Sequence, residues 1–365
     1  MKQNLLLSIA VGFIAIMPMK THAQEAYAAL SDDNTTLTFY YDNKKGSRNG
    51  MDIGPFDNEK VRGWYDNKSS ITKVVFDPSF ANKTDITSTA FWFKGLGHLE
   101  CITDIKHLKT DNVTDMTSMF ADCRTLTSID LSHFNTEKVE SFYDMFEECL
   151  GLTSLDVSHF NTTNAKNMSI MFVGCENLKS LDLRSFRTDN VTEMWSMFED
   201  CKNIENIDVS SFNTSNVKDM RYMFSDCFAI KEIDLSNFNT QNATNMKCMF
   251  QDDKELTTIY VSYDWKTDMI EGDYGKRMFN ECLNLVGGSG TKYDENHIDQ
   301  TYAHIDGGVS NPGYLTYKEK GSASVEIHKS EEHSKTDCYN LNGIKLQGVT
   351  AKDVYIRNGK KYFSR

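Results

Sequence analysis

Residues 119–123 read Met-Phe-Ala-Asp-Cys, and 26 positions further on residues 145–149 read Met-Phe-Glu-Glu-Cys. The Met-Phe pair returns on the same clock at Met171-Phe172, Met197-Phe198, Met223-Phe224 and Met249-Phe250. Cys175, Cys201 and Cys227 keep the cysteine position, and Asp253 breaks it. A fixed period of this length marks a solenoid, in which each unit buries its apolar face only against its neighbours. Such chains are built as recognition surfaces more often than as pockets for chemistry.

Within one unit two apolar periods meet. Ile129 and Leu131 alternate around Asp130, the two-residue period of a strand with one face inward. Val139, Phe142, Met145, Phe146 and Cys149 fall at i, i+3, i+6, i+7 and i+10, which predicts a short amphipathic helix. Between them, 134–138 have the Asn, Thr and charge of a turn. The fold expected is therefore α/β: a leucine-rich-repeat-like solenoid of about eight 26-residue strand-turn-helix coils with degenerate capping ends. Asn135, Asn161, Asn213 and Asn239 follow the phenylalanine that closes the strand, with Arg187 in the fifth place. A stacked Asn suits a ladder that satisfies turn backbone groups from coil to coil.

Outward from this array the organisation reads as follows. Lys2, the apolar run Leu5 to Met17, Pro18 and Thr21-His22-Ala23 have the layout of a secretory signal peptide, 1–23, cleaved after Ala23. The run is short for a spanning helix, and no cysteine precedes Cys101 to carry a lipid at the processing site. An N-terminal cap follows at 24–70, with strand-like Leu37 to Tyr41, then the solenoid at 71–286 and a C-terminal cap at 287–317. Residues 318–335 are charged and poor in large apolar side chains, as a linker is. Residues 336–365 alternate apolar and polar around Gly-containing turns, a hairpin-like unit.

The net charge of −13 lacks the basic stripe that nucleic acid or an anionic membrane surface demands. Of nine cysteines, five share one repeat position, which favours an inert, buried packing column. Cys101, Cys248, Cys282 and Cys338 read as lying off that column, as disulfide or free-thiol candidates. No His-Glu-x-x-His helix, Gly-x-Ser-x-Gly elbow, phosphate loop or Cys-x-x-Cys occurs, and nothing points to a cofactor or a metal centre. Asp130, Asp156, Asp182, Asp208 and Asp234 should form a column about 5 Å apart. Solvated carboxylates bonding turns are the favoured reading of it, and a cation stripe the sharper one.

Recognition should reside where coils differ. On the strand face the outward positions vary through Arg184, Asn206, Glu232 and Tyr260, and beside the Met-Phe pair through Tyr143, Trp195, Arg221 and Tyr222. Tyr, Trp and Arg are the residues enriched at binding hot spots. Tyr143, Arg184, Trp195, Arg221, Tyr222 and Tyr260 are the ligand-binding candidates.

The strand segment Leu-x-x-Ile-Asp-Leu-Ser-x-Phe resembles a leucine-rich repeat. With Phe-Asn-Thr at 134–136, Asp-Asn-Val-Thr-Asp-Met at 111–116 and Asn311-Pro312-Gly313-Tyr314, the unit resembles BspA-like surface proteins, in the variant known as the Mycoplasma-type surface lipoprotein repeat. The resemblance implies a cell-surface protein of a host-associated bacterium that adheres to host proteins or to other microbes. Residues 339–346, 354–356 and 358–361 are similar to the C-terminal sorting domain of Bacteroidetes secreted proteins. That likeness implies export machinery as a partner through the tail. The expected function is thus a non-enzymatic adhesin for extracellular proteins or glycans. An envelope scaffold and, less well supported, a carboxylate-dependent hydrolase are the alternatives.

Overall fold

The computed structural model describes residues 23–321 in full and, beyond them, the backbone of four short strands. The expected signal sequence up to residue 22 and most of the expected linker lie outside the described residues. The chain divides into two compact units, 1–317 and 318–365.

The first unit opens with a hairpin, β1 (Glu25–Leu30) against β2 (Thr36–Asp42), which covers the strand expected at Leu37 to Tyr41. β2 pairs in parallel with β3 (Lys73–Phe76), and β3 with β4 (Cys101–Thr103), so the hairpin caps the repeat by extending its strand column. Further along, β5 (Ser180–Leu181) pairs with β6 (Asn206–Ile207), β7 (Glu232–Leu235) with β8 (Thr258–Val261), and β8 with β9 (Leu315–Tyr317), all in parallel. Ile259 in β8 faces Leu315 in β9, so the C-terminal cap closes the strand column. In the second unit β10 (Cys338–Tyr339), β11 (Lys345–Leu346), β12 (Val354–Arg357) and β13 (Lys360–Phe363) form an antiparallel sheet in the order β11-β10-β12-β13.

The expected helix at the Met-Phe segment does not form, and no α-helix occurs among the described residues. The segment is instead a chain of overlapping turns. Met119, Ala121 and Cys123 each donate their N–H three residues back, to Met116, Ser118 and Phe120. The alternate residues Met116, Ser118, Phe120 and Asp122 donate to the next coil, at Ser141, Tyr143, Met145 and Glu147, over 2.8–3.1 Å. The same four bonds recur from each coil to the next as far as Asp252 to Asn280. Parallel bridges run alongside through Ser88, Asp115, Ser141, Asn167, Glu193, Asp219 and Asn245. Turns spaced by about three residues repeat their inward side chains much as a helix does, so apolar spacing does not distinguish the two. Backbone conformation does. Each coil holds two left-handed residues four apart, such as Ser118 and Asp122 or Ser196 and Asp200, and a helix cannot contain them.

With backbones fixed at one coil spacing, like side chains stack in columns. Phe120, Phe146, Phe172, Phe198, Phe224, Phe250 and Phe279 lie face to face, 5.5–5.8 Å apart and within 10° of parallel. Tyr314 closes the stack edge-on at 5.2 Å. The thiols form a second column, and each donates to the phenylalanine carbonyl one coil earlier, as Cys149 does to Phe120 and Cys175 to Phe146. Cys282 donates to Phe250 in the same way, so it belongs to the column and not outside it. All eight cysteines among the described residues are free. Burial raises the column thiols well above their ordinary pKa, which leaves them unreactive. Asp253 takes its place in the column as a buried carboxyl that accepts the Cys227 N–H, and burial raises its pKa far above the usual range.

A third column corrects the expected asparagine ladder. Asn135, Asn161, Asn213 and Asn239 accept N–H bonds within their own coil, from Glu137, Thr163, Ser215 and Gln241. The coil-to-coil clamp is the threonine that follows them. Thr188 Oγ1 accepts the Asn213 N–H at 2.7 Å and donates to the Asn213 carbonyl at 2.8 Å, and Thr136, Thr162, Thr214 and Thr240 repeat this. A second asparagine, at 164, 190, 216 and 242, adds an amide bond to the preceding coil.

Both the clamp and the left-handed positions make a stability prediction. Thr188→Val strands both Asn213 backbone groups and should lower unfolding free energy by about 2 kcal/mol, whereas Thr163→Val on the surface should change it little; urea denaturation measures both. Ile170, a β-branched residue at φ 62°, occupies a left-handed position. Ile170→Asn should leave stability unchanged or raise it by up to about 1 kcal/mol, read as a melting temperature no lower than the parent's.

Candidate functional site

The turn chain sets which side chains face outward. In each coil Met, Phe and Cys are buried, while the residues flanking the Met-Phe pair range from half-buried, such as Tyr143, Trp195 and Arg221, to buried, such as Ser118, Ala121 and Asp144. The first flanking position runs Thr117, Tyr143, Ser169, Trp195, Arg221 and Lys247 in successive coils. Three of the candidate residues meet along it. The Tyr143 and Trp195 rings lie edge to face at 6.0 Å, closing over the intervening Ser169, which is fully buried. The Arg221 guanidinium sits over the Trp195 ring at 4.4 Å and is anchored to Asp219 at 2.6 Å. A cation over an indole contributes about 0.5–1 kcal/mol at a partly exposed site, so the three side chains hold one another in place. Tyr222 occupies the adjacent, left-handed position and faces Cys248 in the next coil.

The remaining candidates lie on the strand face and join no common cluster. Arg184 is ion-paired with its neighbour Asp182 at 2.6 Å. The Tyr260 hydroxyl points to Glu232 across β7 and β8.

Each carboxylate of the aspartate column is turned onto its own backbone. Asp130, Asp156, Asp182, Asp208 and Asp234 accept the N–H two residues ahead, at 3.0–3.2 Å. These bonds close an Asx turn in each coil, after β5 and β6 at Asp182 and Asp208 and within β7 at Asp234, whereas the strands expected at 129–131 and 155–157 do not form. Hydrogen bonds from Ser132 and Ser158 hold the Asp130 and Asp156 carboxyls below the usual range, and the Arg184 side chain holds Asp182 at about 2. Among the described residues no group of three or more His, Cys, Asp or Glu is placed to hold a metal ion.

Sequence reasoning missed a charged cluster beside the aromatic strip. Lys94, Ser118, Asp144 and Glu147 come from three successive coils. Asp144 Oδ2 accepts from Lys94 Nζ at 2.6 Å and from Ser118 Oγ at 2.5 Å, and the Asp144 side chain is 4% exposed. Glu147 lies beside it, and Lys94 reaches it at 3.9 Å. The available signal was local: Asp144 stands where neighbouring coils carry Ser118, Ile170 and Ser196, and Lys94 where they carry Ala121 and Val173.

A stack of short coils, repetitive inside and varied along one strip, defines a repeat protein. The chain belongs to the family described as Mycoplasma protein of unknown function, DUF285, whose model matches residues 79–181 and again 166–287, together more than half of the sequence. Among solved structures it is similar to a leucine-rich repeat protein from Eubacterium ventriosum. That match is 16% identical, covers 72% of this chain and 84% of the other, and has a TM-score of 0.29. No curated protein matches.

The Asx turns give a direct test of the aspartate column. Asp208→Ala should cost about 1 kcal/mol through loss of the turn bond, and Asp208→Asn much less. Millimolar calcium should leave the melting temperature of the parent chain unchanged; a calcium-dependent rise abolished by Asp208→Ala would instead establish a cation stripe.

Proposed function

We propose that this chain is an exported, surface-displayed repeat protein that acts by binding extracellular protein or glycan partners of a host or of other microbes, as an adhesin does. The observation that carries the reading is the contiguity of Tyr143, Trp195 and Arg221, which three different coils bring into one aromatic and cationic strip. Inward positions of the array repeat because stacking requires it. These departures lie outside the inward columns, and all three are of the types that dominate binding energy. Tyr222 extends the strip, while Arg184 and Tyr260 would form a separate strand-face contact.

Export is supported by the apolar run ahead of Ala23, and attachment at the surface by the likeness of 339–361 to a sorting tail. Binding by many weak contacts along a rigid face requires no catalytic group. Nucleic acid remains disfavoured by the net charge of −13.

The test is binding of the chain from Gln24 onward to matrix, plasma, mucin and glycan panels at two salt concentrations. Saturable binding weakened at least tenfold, about 1.4 kcal/mol, by Tyr143→Ala, Trp195→Ala and Arg221→Ala together is the expected result. Loss with Arg184→Ala and Tyr260→Ala instead would move the site to the strand face. Absence of any partner would leave an envelope scaffold as the better reading.

A further inference from the structure

The Lys94 cluster contains an unbalanced hydrogen bond. Asp144 Oδ2 is filled by Lys94 and Ser118, but the buried Oδ1 has no N–H or hydroxyl donor. The carboxyl beside it is that of Glu147, which the same Lys94 Nζ reaches at 3.9 Å. Two ionised carboxylates offer four acceptor oxygens and no hydrogen between them. Glu147 can therefore fill the empty Oδ1 only by carrying a proton itself. We propose that Glu147 keeps its proton at neutral pH and donates it to the buried Asp144 Oδ1, and that loss of this proton loosens the coils beneath the Tyr143–Trp195–Arg221 strip, making that surface pH-responsive.

The surroundings support a proton here. Glu147 is raised to about 8, first by burial, then by its hydrogen bond to Asp144 and then by the Asp144 charge. Asp122, one coil earlier, pushes in the same direction, and Lys94 pulls against it. Arg124, which pairs with Asp122 and Glu148, adds positive charge from the same side. From the following coil Ser169 and Val173 bring no charge. Burial disfavours the Lys94 ammonium, but its bond to Asp144 and the Asp144, Glu147 and Asp122 charges together outweigh that and raise its pKa, so Lys94 stays charged throughout. One cation thus faces two carboxyls, and the proton makes good the difference.

The device is joined to the strip through the backbone. Tyr143 precedes Asp144 directly, and the Asp144 N–H donates to the Ser169 carbonyl, beneath the Tyr143–Trp195 contact. Ionising Glu147 sets two negative charges against each other at this junction.

The sign of the pH dependence is fixed. In the unfolded chain Glu147 titrates near the ordinary value of about 4.3; in the folded chain it holds its proton to about 8. Between those limits the folded state binds one proton more. Its contribution is complete below the lower limit, declines as pH rises and is gone above the upper one. This site alone would raise the unfolding equilibrium constant by as much as tenfold per pH unit across the window.

The experiment compares urea unfolding of the parent chain, Glu147→Gln and the surface control Glu140→Gln at pH 5.5, 7 and 8.5. The amide introduced by Glu147→Gln would donate to Asp144 Oδ1 without a titrating proton. The parent and the control should lose stability relative to Glu147→Gln as pH rises; parallel curves for all three would overturn the proposal. Carbon-13 NMR of the parent chain's side-chain carboxyls supplies an answer even where the variant misfolds. One glutamate carboxyl titrating near pH 8 is expected, told apart from the buried Asp253 carboxyl by its side-chain shift, and titration of every glutamate carboxyl below pH 6 would sink the idea. Trp195 emission, taken as parent minus Trp195→Phe, should change with the same midpoint; a flat trace would overturn the coupling to the strip. None of these measurements needs a partner, so their failure is distinct from failure of the binding reading.

Discussion

The fold depends on one backbone arrangement: along each Met-Phe segment, alternate N–H groups bond forward to the next coil. That geometry needs two left-handed residues per coil, and the turns between them satisfy the N–H groups left over. It also holds successive coils at a single spacing. Phenylalanine rings then stack within contact of one another, thiols reach the preceding carbonyl, and threonine hydroxyls reach both groups of one residue's backbone. A side chain of the wrong size in any column would force the coils apart and break backbone bonds on both sides. Repetition of the inward residues is the consequence of that coupling.

Much of this was legible in the sequence. The 26-residue period located the coils of the central array, and the inward columns of Leu, Val, Met, Phe and Cys are buried as their spacing indicates. Periodicity failed at the helix, because a chain of turns and an amphipathic helix place apolar residues at nearly the same offsets. The overlooked signal was the residue before four of the six column cysteines: Asp122, Gly174, Asp200 and Asp226 are the kinds of residue that tolerate positive φ, and helix interiors disfavour them. The asparagine error has a similar origin. Asn135 recurs in Asn161, Asn213 and Asn239 but gives way to Arg187, whereas Thr136 recurs without a break; spacing alone does not say which side chain points at the neighbouring backbone and which at its own.

The candidate site was legible as individual residues and not as a surface. Side-chain type singled out Tyr143, Trp195 and Arg221, but their contact depends on the turn geometry, which brings equivalent positions two coils apart within reach across Ser169. The cluster of Lys94, Ser118, Asp144 and Glu147 is harder to find by sequence, since its members are scattered between positions 94 and 147. Only the stacked structure joins them. The aromatic and cationic contact and the charged cluster thus occupy neighbouring strips of one face, while the strand face carries turn-capping aspartates.

The uniform interface between coils also bears on how such a chain can change over time. Each junction from Phe120 to Phe250 presents the same surface on both sides, so a coil can be gained or lost whole without disturbing either cap. Every such event would alter the reach of the molecule by one ring spacing, about 5.8 Å. It would also slide the Tyr143–Trp195–Arg221 strip relative to the N-terminal hairpin cap. Duplication of one repeat unit is therefore a ruler for the distance between cap and strip, adjustable in equal steps.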